Sequence, residues 1–380
     1  MNDPVLYEVR DTTGGKSIGI ATLNIENRLN STSLELVRSL SPKLEAWARD
    51  DQIACVVIRG AGEKAFCAGG DCIDMYHSMV EDPSLENRYA QQFFSEEYSL
   101  FYLIHVYPKP VITWGSGIVM GAGLGLMCAG SHRIVTERSL LAMPEISIGL
   151  YPDAGGSWFL GRTPGRSGLF LGLTGSKMNA TDARFLGLAT HSLDSTAYVV
   201  MLDALASVPW TNDGKLNADL TSTCLSTLQK TTAPARTESN IRKHYDTIQE
   251  LCDCNNPIEF ADNLKRLKTR SPWLETARDG FLSGSPTTAH LVFELRRRTL
   301  RLSLADVFRI EYGVSMQCVV HPDFREGIRS TLIDKDKSPV WTPDQLEKVT
   351  PEWIAAHFDP PCADANNPMN HSHCAVETLQ

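Results

Sequence analysis

Two short segments constrain this chain most: "AFCAGGD" at 65–71 and "VMGAGLG" at 119–125. Each ends a short apolar, strand-like run in a Gly/Ala bend and opens a helix-like run. Small residues let the backbone turn sharply and let strand and helix pack closely. The same alternation fills residues 1–190. "SIGIATLN" and "IACVVIRG" are β-branched runs bounded by turn residues, the pattern of buried strands. Between them Leu34, Val37, Leu40, Leu44 and Trp47 recur at helical spacing, and Pro42 predicts a break or kink there. "KPVITWGSGIVMGAGLGLMCAG" and "HRIVTERSLLAMPE" repeat strand, Gly-rich turn, helix and strand. The fold class is α/β.

From 191 to 358 the sequence becomes polar and helical, a C-terminal helical region following the strand-rich core of 1–190. Within it, Ser285 as N-cap and Pro286 in the first turn announce a helix start. Residues 359–380 are rich in Pro and Asn and read as a flexible tail. His371, His373 and Cys374 lie there, and a solvated tail is expected rather than a metal site.

Composition removes several classes of function. The net charge of -9 argues against nucleic acid as a partner, because phosphate binding needs a basic face. The ten cysteines form no C-x-x-C pair, which suggests a reducing compartment. No long uncharged apolar run predicts a membrane span. The start, "MNDPVLYEVR", has neither an apolar nor an Arg-rich leader. A bacterial cytoplasmic location is the expectation, with a processed mitochondrial matrix form as the alternative. No G-x-S-x-G elbow occurs, "GAGLGL" misplaces the third glycine of a dinucleotide loop, and no Walker A lysine follows a Gly run.

What remains is a carboxylate pair and two bends. Glu145 and Asp153 stand in "AMPEISIGLYPDAGG", a segment that otherwise reads as buried. Carboxylates rarely enter such surroundings without a partner or a task. A structural role is available to each: charge in a first helical turn for Glu145, an N-cap for Asp153. The two bends allow backbone amides to converge as an oxyanion hole, or merely to pack strands tightly against helices.

The motifs "KAFCAGGD", "GSGIVMGAGLGL", "AMPEISIGLYPDAGG", "LTGSKMNATDARFLGLATH" and "HPDFREGIRSTLIDKDKSPVW" resemble the crotonase (enoyl-CoA hydratase/isomerase) superfamily over residues 15–358. The paired "MPE…YPD" and the late "DFREGIR…LIDKDKSP" resemble its 3-hydroxyisobutyryl-CoA hydrolase branch. The resemblance implies a crotonase-like spiral of ββα turns and an acyl-CoA substrate. It assigns oxyanion donors to the amides of Ala68 and Ala122, with Gly69, Gly70 and Gly121 lining the substrate. Ala122 replaces the usual middle glycine of G-G-G, so its methyl needs a compatible φ and spare room. Of the two glutamates that flank a water in hydratases, one matches Glu145. The other falls at Gly125, which argues against hydration.

Asp153 is the second acid of the hydrolase branch. Glu145 would attack the thioester or act as general base, while Asp153 orients water or protonates the thiolate side. Glu97, rather than its neighbour Glu96, aligns with a glutamate near the acyl pocket and would accept from a substrate 3-hydroxyl. Asp71 is expected to cap a helix, and Arg133 to carry surface charge rather than meet CoA phosphates. No metal or cofactor is implied, since CoA belongs to the substrate. Crotonase relatives often trimerise, so a homo-oligomer is compatible, although the C-terminal helices could cover that face. An enoyl-CoA hydratase or isomerase, and a crotonase-fold scaffold without turnover, are the competing readings.

Overall fold

The computed structural model describes residues 3–235, 237–362 and 367–370. The expectations for His371, His373 and Cys374 fall outside them. The apolar runs form nine strands: β1 Val5–Asp11, β2 Ser17–Leu23, β3 Ile53–Gly60, β4 Ala65–Cys67, β5 Val111–Gly115, β6 Ile118–Met120, β7 His132–Val135, β8 Leu140–Ala142 and β9 His191–Ser192. They belong to two sheets, ordered β1-β2-β3-β5-β7-β9 and β4-β6-β8. Only β1 and β2 pair antiparallel; every other ladder is parallel. Consecutive strands thus alternate between a long sheet and a short one before a helix returns the chain. This is the expected spiral of ββα turns.

Side chains alternate across the long sheet with period two. Val56 and Ile58 enter the main core, whereas Cys55 and Val57 enter a second core beneath residues 197–228. Residues on both sides of position 190 share the main core: Phe170 and Leu173 pack in one cluster with Phe260, Phe281 and Phe308. Among the described residues no helix is long and apolar enough to cross a membrane.

Helix α1, Leu34–Arg49, runs through Pro42 without a break, contrary to expectation. Pro42 lies on the exposed face, where water can reach the carbonyl it leaves unpaired. The buried stripe Leu36, Val37, Leu40, Leu44 and Trp47 continues on both sides of it. Three further helices frame the site: α2 Cys72–Glu81, α3 Arg88–His105 and α4 Ala122–Ala129. The predicted start at Ser285 is present, with its side chain accepting from the Thr288 amide.

Candidate active site

The three short strands β4, β6 and β8 lie side by side and parallel. Their C-terminal ends therefore open on one edge, about 4.8 Å apart. The first end continues into Ala68–Gly70, the second into Gly121–Ala122, and the third into Pro144 and Glu145. All of these line one cavity of about 90 Å³ with Glu97, Asp153, Cys72 and Phe324. The predicted site residues are thus brought together, although 85 positions separate Ala68 from Asp153.

The two bends face each other: a Cβ on Gly121 would lie 3.7 Å from the Gly69 Cα. Gly69 (φ 118°) and Gly121 (φ 54°) take backbone conformations that favour glycine. Ala122 is the first residue of α4 and its φ is not positive, so its methyl is carried without strain. Its amide has no acceptor among the described residues, as expected in a first helical turn. The Ala68 amide, by contrast, donates to the Leu29 carbonyl at 3.1 Å. This corrects the sequence assignment of Ala68. Among the described residues, the amides of that bend without an acceptor are those of Gly69 and Gly70.

Glu145 is only 4% exposed, and its Oε2 has no hydrogen-bond partner among the described residues. Burial, reinforced by the nearby Asp153 charge, pushes its carboxyl well above the usual range. Asp153 is 5% exposed and does not cap a helix with its side chain. Its Oδ2 lies 2.7 Å from the Tyr98 hydroxyl. Burial pushes Asp153 up to about 6, with the Tyr98 hydroxyl opposing the shift. Glu97 is 1% exposed, and burial pushes it up to about 8. The Thr32 hydroxyl donates to its Oε1. Glu96 points outward to Arg38 instead. Asp71 caps α2 through the Asp74 amide and pairs with Arg28. Arg133 spends its guanidinium on the carbonyls of Gly130, Gly187 and Leu188.

Sequence reasoning missed several supports. Glu311 is fully buried and accepts from the amides of Gly155 (2.7 Å) and Ser157 (3.0 Å). It thereby fixes the turn after Asp153, where Ala154 (φ 54°) and Gly155 (φ 83°) are both left-handed. A signal existed: Glu311 lies at i+4 and i+3 from the buried Val307 and Phe308 on helix Leu304–Val320. The late "DFREGIR" motif forms helix Pro322–Ile328, which sends Phe324 into the cavity. It also clamps the Glu145 turn. A Cβ on Gly149 would lie 2.2 Å from the Asp323 carbonyl oxygen, and one on Gly327 2.3 Å from the Ile148 carbonyl carbon. Beyond this helix Arg329 binds Glu326, Asp334 and Asp336, so the acidic "LIDKDKSP" is structural.

At Gly125 a Cβ would meet the Ala154 carbonyl oxygen at 2.4 Å and the Ala154 Cβ at 2.8 Å. The turn carrying Asp153 occupies the space that a side chain at 125 would need. Gly125→Ala should therefore displace that turn, costing about 1–3 kcal/mol by overpacking and roughly tenfold or more in turnover through misplacement of Asp153. Thermal unfolding and thioester cleavage measure the two effects; wild-type values for both would show that the turn yields freely.

Residues 18–358 match the family model described as enoyl-CoA hydratase/isomerase. The chain belongs to the enoyl-CoA hydratase/isomerase family. It is similar to the mitochondrial 3-hydroxyisobutyryl-CoA hydrolase of Danio rerio, at 36% identity over 90% of this chain and 86% of that one. The Homo sapiens protein of the same name is 34% identical over 94% of this chain and 88% of its own. Among solved structures, a carnitinyl-CoA dehydratase from Mycobacterium thermoresistibile superposes with a TM-score of 0.82. It is 32% identical, over 94% of this chain and 97% of that one. Members with similar folds thus carry names for different reactions.

Proposed function

We propose that this chain hydrolyses a short-chain 3-hydroxyacyl-CoA thioester, with 3-hydroxyisobutyryl-CoA as first candidate, releasing 3-hydroxyisobutyrate and CoA. The observation that carries the reading is the acid pair Glu145 and Asp153 at one cavity, with Ala154 packed so closely on Gly125 that position 125 cannot carry the glutamate a hydratase would place there. The names of the relatives over nine-tenths of the chain support it.

In this reading the thioester oxygen sits between the Ala122 amide and the Gly69–Gly70 bend. The developing negative charge is held by donors that need no reorganisation. Glu145 either attacks the carbonyl carbon or takes a proton from the attacking water. Asp153 serves the thiolate side. The reaction needs only water besides the thioester, so CoA enters as part of the substrate and no resident cofactor is required. The mitochondrial names of the relatives are compatible with the matrix alternative.

Glu97 supplies selectivity. One of its oxygens is engaged by Thr32, and a Cβ on Gly70 would lie 3.9 Å from that oxygen, so the carboxyl flanks the oxyanion bend. A buried acceptor left unpaired by a substrate without a hydroxyl costs affinity in the transition state. The test is a panel of acyl-CoA thioesters, with and without a 3-hydroxyl, followed by release of free thiol. The wild type should prefer the hydroxylated member by at least about tenfold, and Glu97→Gln should lose most of that preference. Loss of enoyl absorbance without thiol release would replace the reading by the hydratase one.

A further inference from the structure

Behind Asp153 runs a closed chain of hydroxyl groups. The Tyr98 hydroxyl lies 2.7 Å from Asp153 Oδ2 and 2.8 Å from Ser315 Oγ. Ser315 Oγ lies 2.8 Å from the Tyr151 hydroxyl, which donates to the Glu311 carbonyl oxygen at 2.7 Å. Tyr98, Tyr151 and Ser315 are each 0% exposed, so none of these contacts opens to bulk water. Four oxygen–oxygen contacts of hydrogen-bond length need four protons, and the three hydroxyls supply three.

The fourth is present only when Asp153 carries its proton. Every contact is then filled in one direction: Asp153 to Tyr98, Tyr98 to Ser315, Ser315 to Tyr151, Tyr151 to the Glu311 carbonyl. With Asp153 ionised, Tyr98 must donate back to the carboxylate, and one contact further along holds two oxygens with no proton between them. In a buried chain that is costly. Taken alone, the Tyr98–Asp153 bond would favour the carboxylate and leave the pair's shared proton on Glu145; the count over the whole chain opposes this. The other groups facing Asp153 are Glu145, Glu97 and Glu311, with the thiols of Cys72 and Cys318. Among the described residues, no cation bears on it.

We infer that Tyr98, Ser315 and Tyr151 are positioning residues that keep the shared proton of the acid pair on Asp153, making Asp153 the acid that protonates the departing thiolate. This rests on the hydrolase reading above. In either route the C–S bond breaks with its electron pair on sulfur, and sulfur takes the Asp153 proton. The new C–O bond forms to Glu145, or to a water whose proton Glu145 takes. Asp153 regains a proton from the water that cleaves the anhydride in the first route. In the second, the proton held by Glu145 returns to it as products leave. The hydroxyl chain reverses direction each time Asp153 changes state.

The test is the pH profile of thioester hydrolysis. An acid that must be protonated loses activity as pH rises through its pKa. In Ser315→Ala only the Tyr98–Asp153 and Tyr151–Glu311 contacts remain, and two hydroxyl protons fill both with Asp153 ionised. Its alkaline fall should therefore move to lower pH by about one unit, and Ser315→Thr should restore the wild-type profile. Tyr151→Phe leaves the Asp153–Tyr98 and Tyr98–Ser315 contacts, which two hydroxyl protons fill with Asp153 ionised, so its fall should move the same way. An unmoved profile in Ser315→Ala, or a shift to higher pH in either Ser315→Ala or Tyr151→Phe, overturns the inference. A Glu145→Gln variant with undiminished hydrolysis would instead remove the reading beneath it.

Discussion

Glu145→Gln should cleave the thioester at least about 10²-fold more slowly than wild type while folding normally. Glutamine keeps the volume and planar shape of the side chain, so the cavity stays filled. Only the capacity to accept a proton or attack carbon is lost. The native Oε2 has no partner, and burial already disfavours its charge, so folding gains nothing from ionisation at this site. The variant should melt at or slightly above the wild-type temperature. A group whose removal spares stability and destroys turnover is held in place for chemistry. Thermal unfolding and thiol release on the same preparation check both halves. A variant within about threefold of wild type in rate would remove Glu145 from the reaction, since positioned acid–base groups contribute far more than that.

Glu311→Ala should fail differently, losing stability and activity together. The buried Gly155 amide would lose its acceptor at about 1–3 kcal/mol and the part-buried Ser157 amide at less, giving a total of roughly 2–4 kcal/mol if water fills part of the gap. Glu311 also holds Ala154 in its left-handed conformation, which a non-glycine residue resists. Once released, that turn should swing Asp153 away from Tyr98, and turnover should drop by roughly 10²-fold. Glu311→Gln, which retains one acceptor oxygen, should fall between alanine and wild type. Urea unfolding with thiol release measures the pair, and an alanine variant of wild-type stability would show that the turn holds itself.

The sequence was informative where a residue's chemistry disagreed with its surroundings. Glu145 and Asp153 stand out as charges in an apolar run, and the two bends stand out as small residues between strand and helix. It was less informative where the deciding partner is remote. Which amide of the first bend is free depends on the Leu29 carbonyl, which the chain brings back from 39 positions upstream. The role of Glu311 depends on amides 156 and 154 positions away. Pro42 misled because its effect depends on whether it faces core or water, which its residue type does not show. The family resemblance supplied the role of Glu97, but only its packing against Thr32 separates it physically from Glu96.

The backbone contacts at Gly149 and Gly327 bear on how such a protein can change over evolutionary time. Neither glycine can acquire a side chain without driving apart the loop that begins at Glu145 and the helix that braces it. Loop and brace must therefore be inherited as a unit. Transplanting the loop alone onto a shorter relative would deliver the acid without the surface that keeps it aimed.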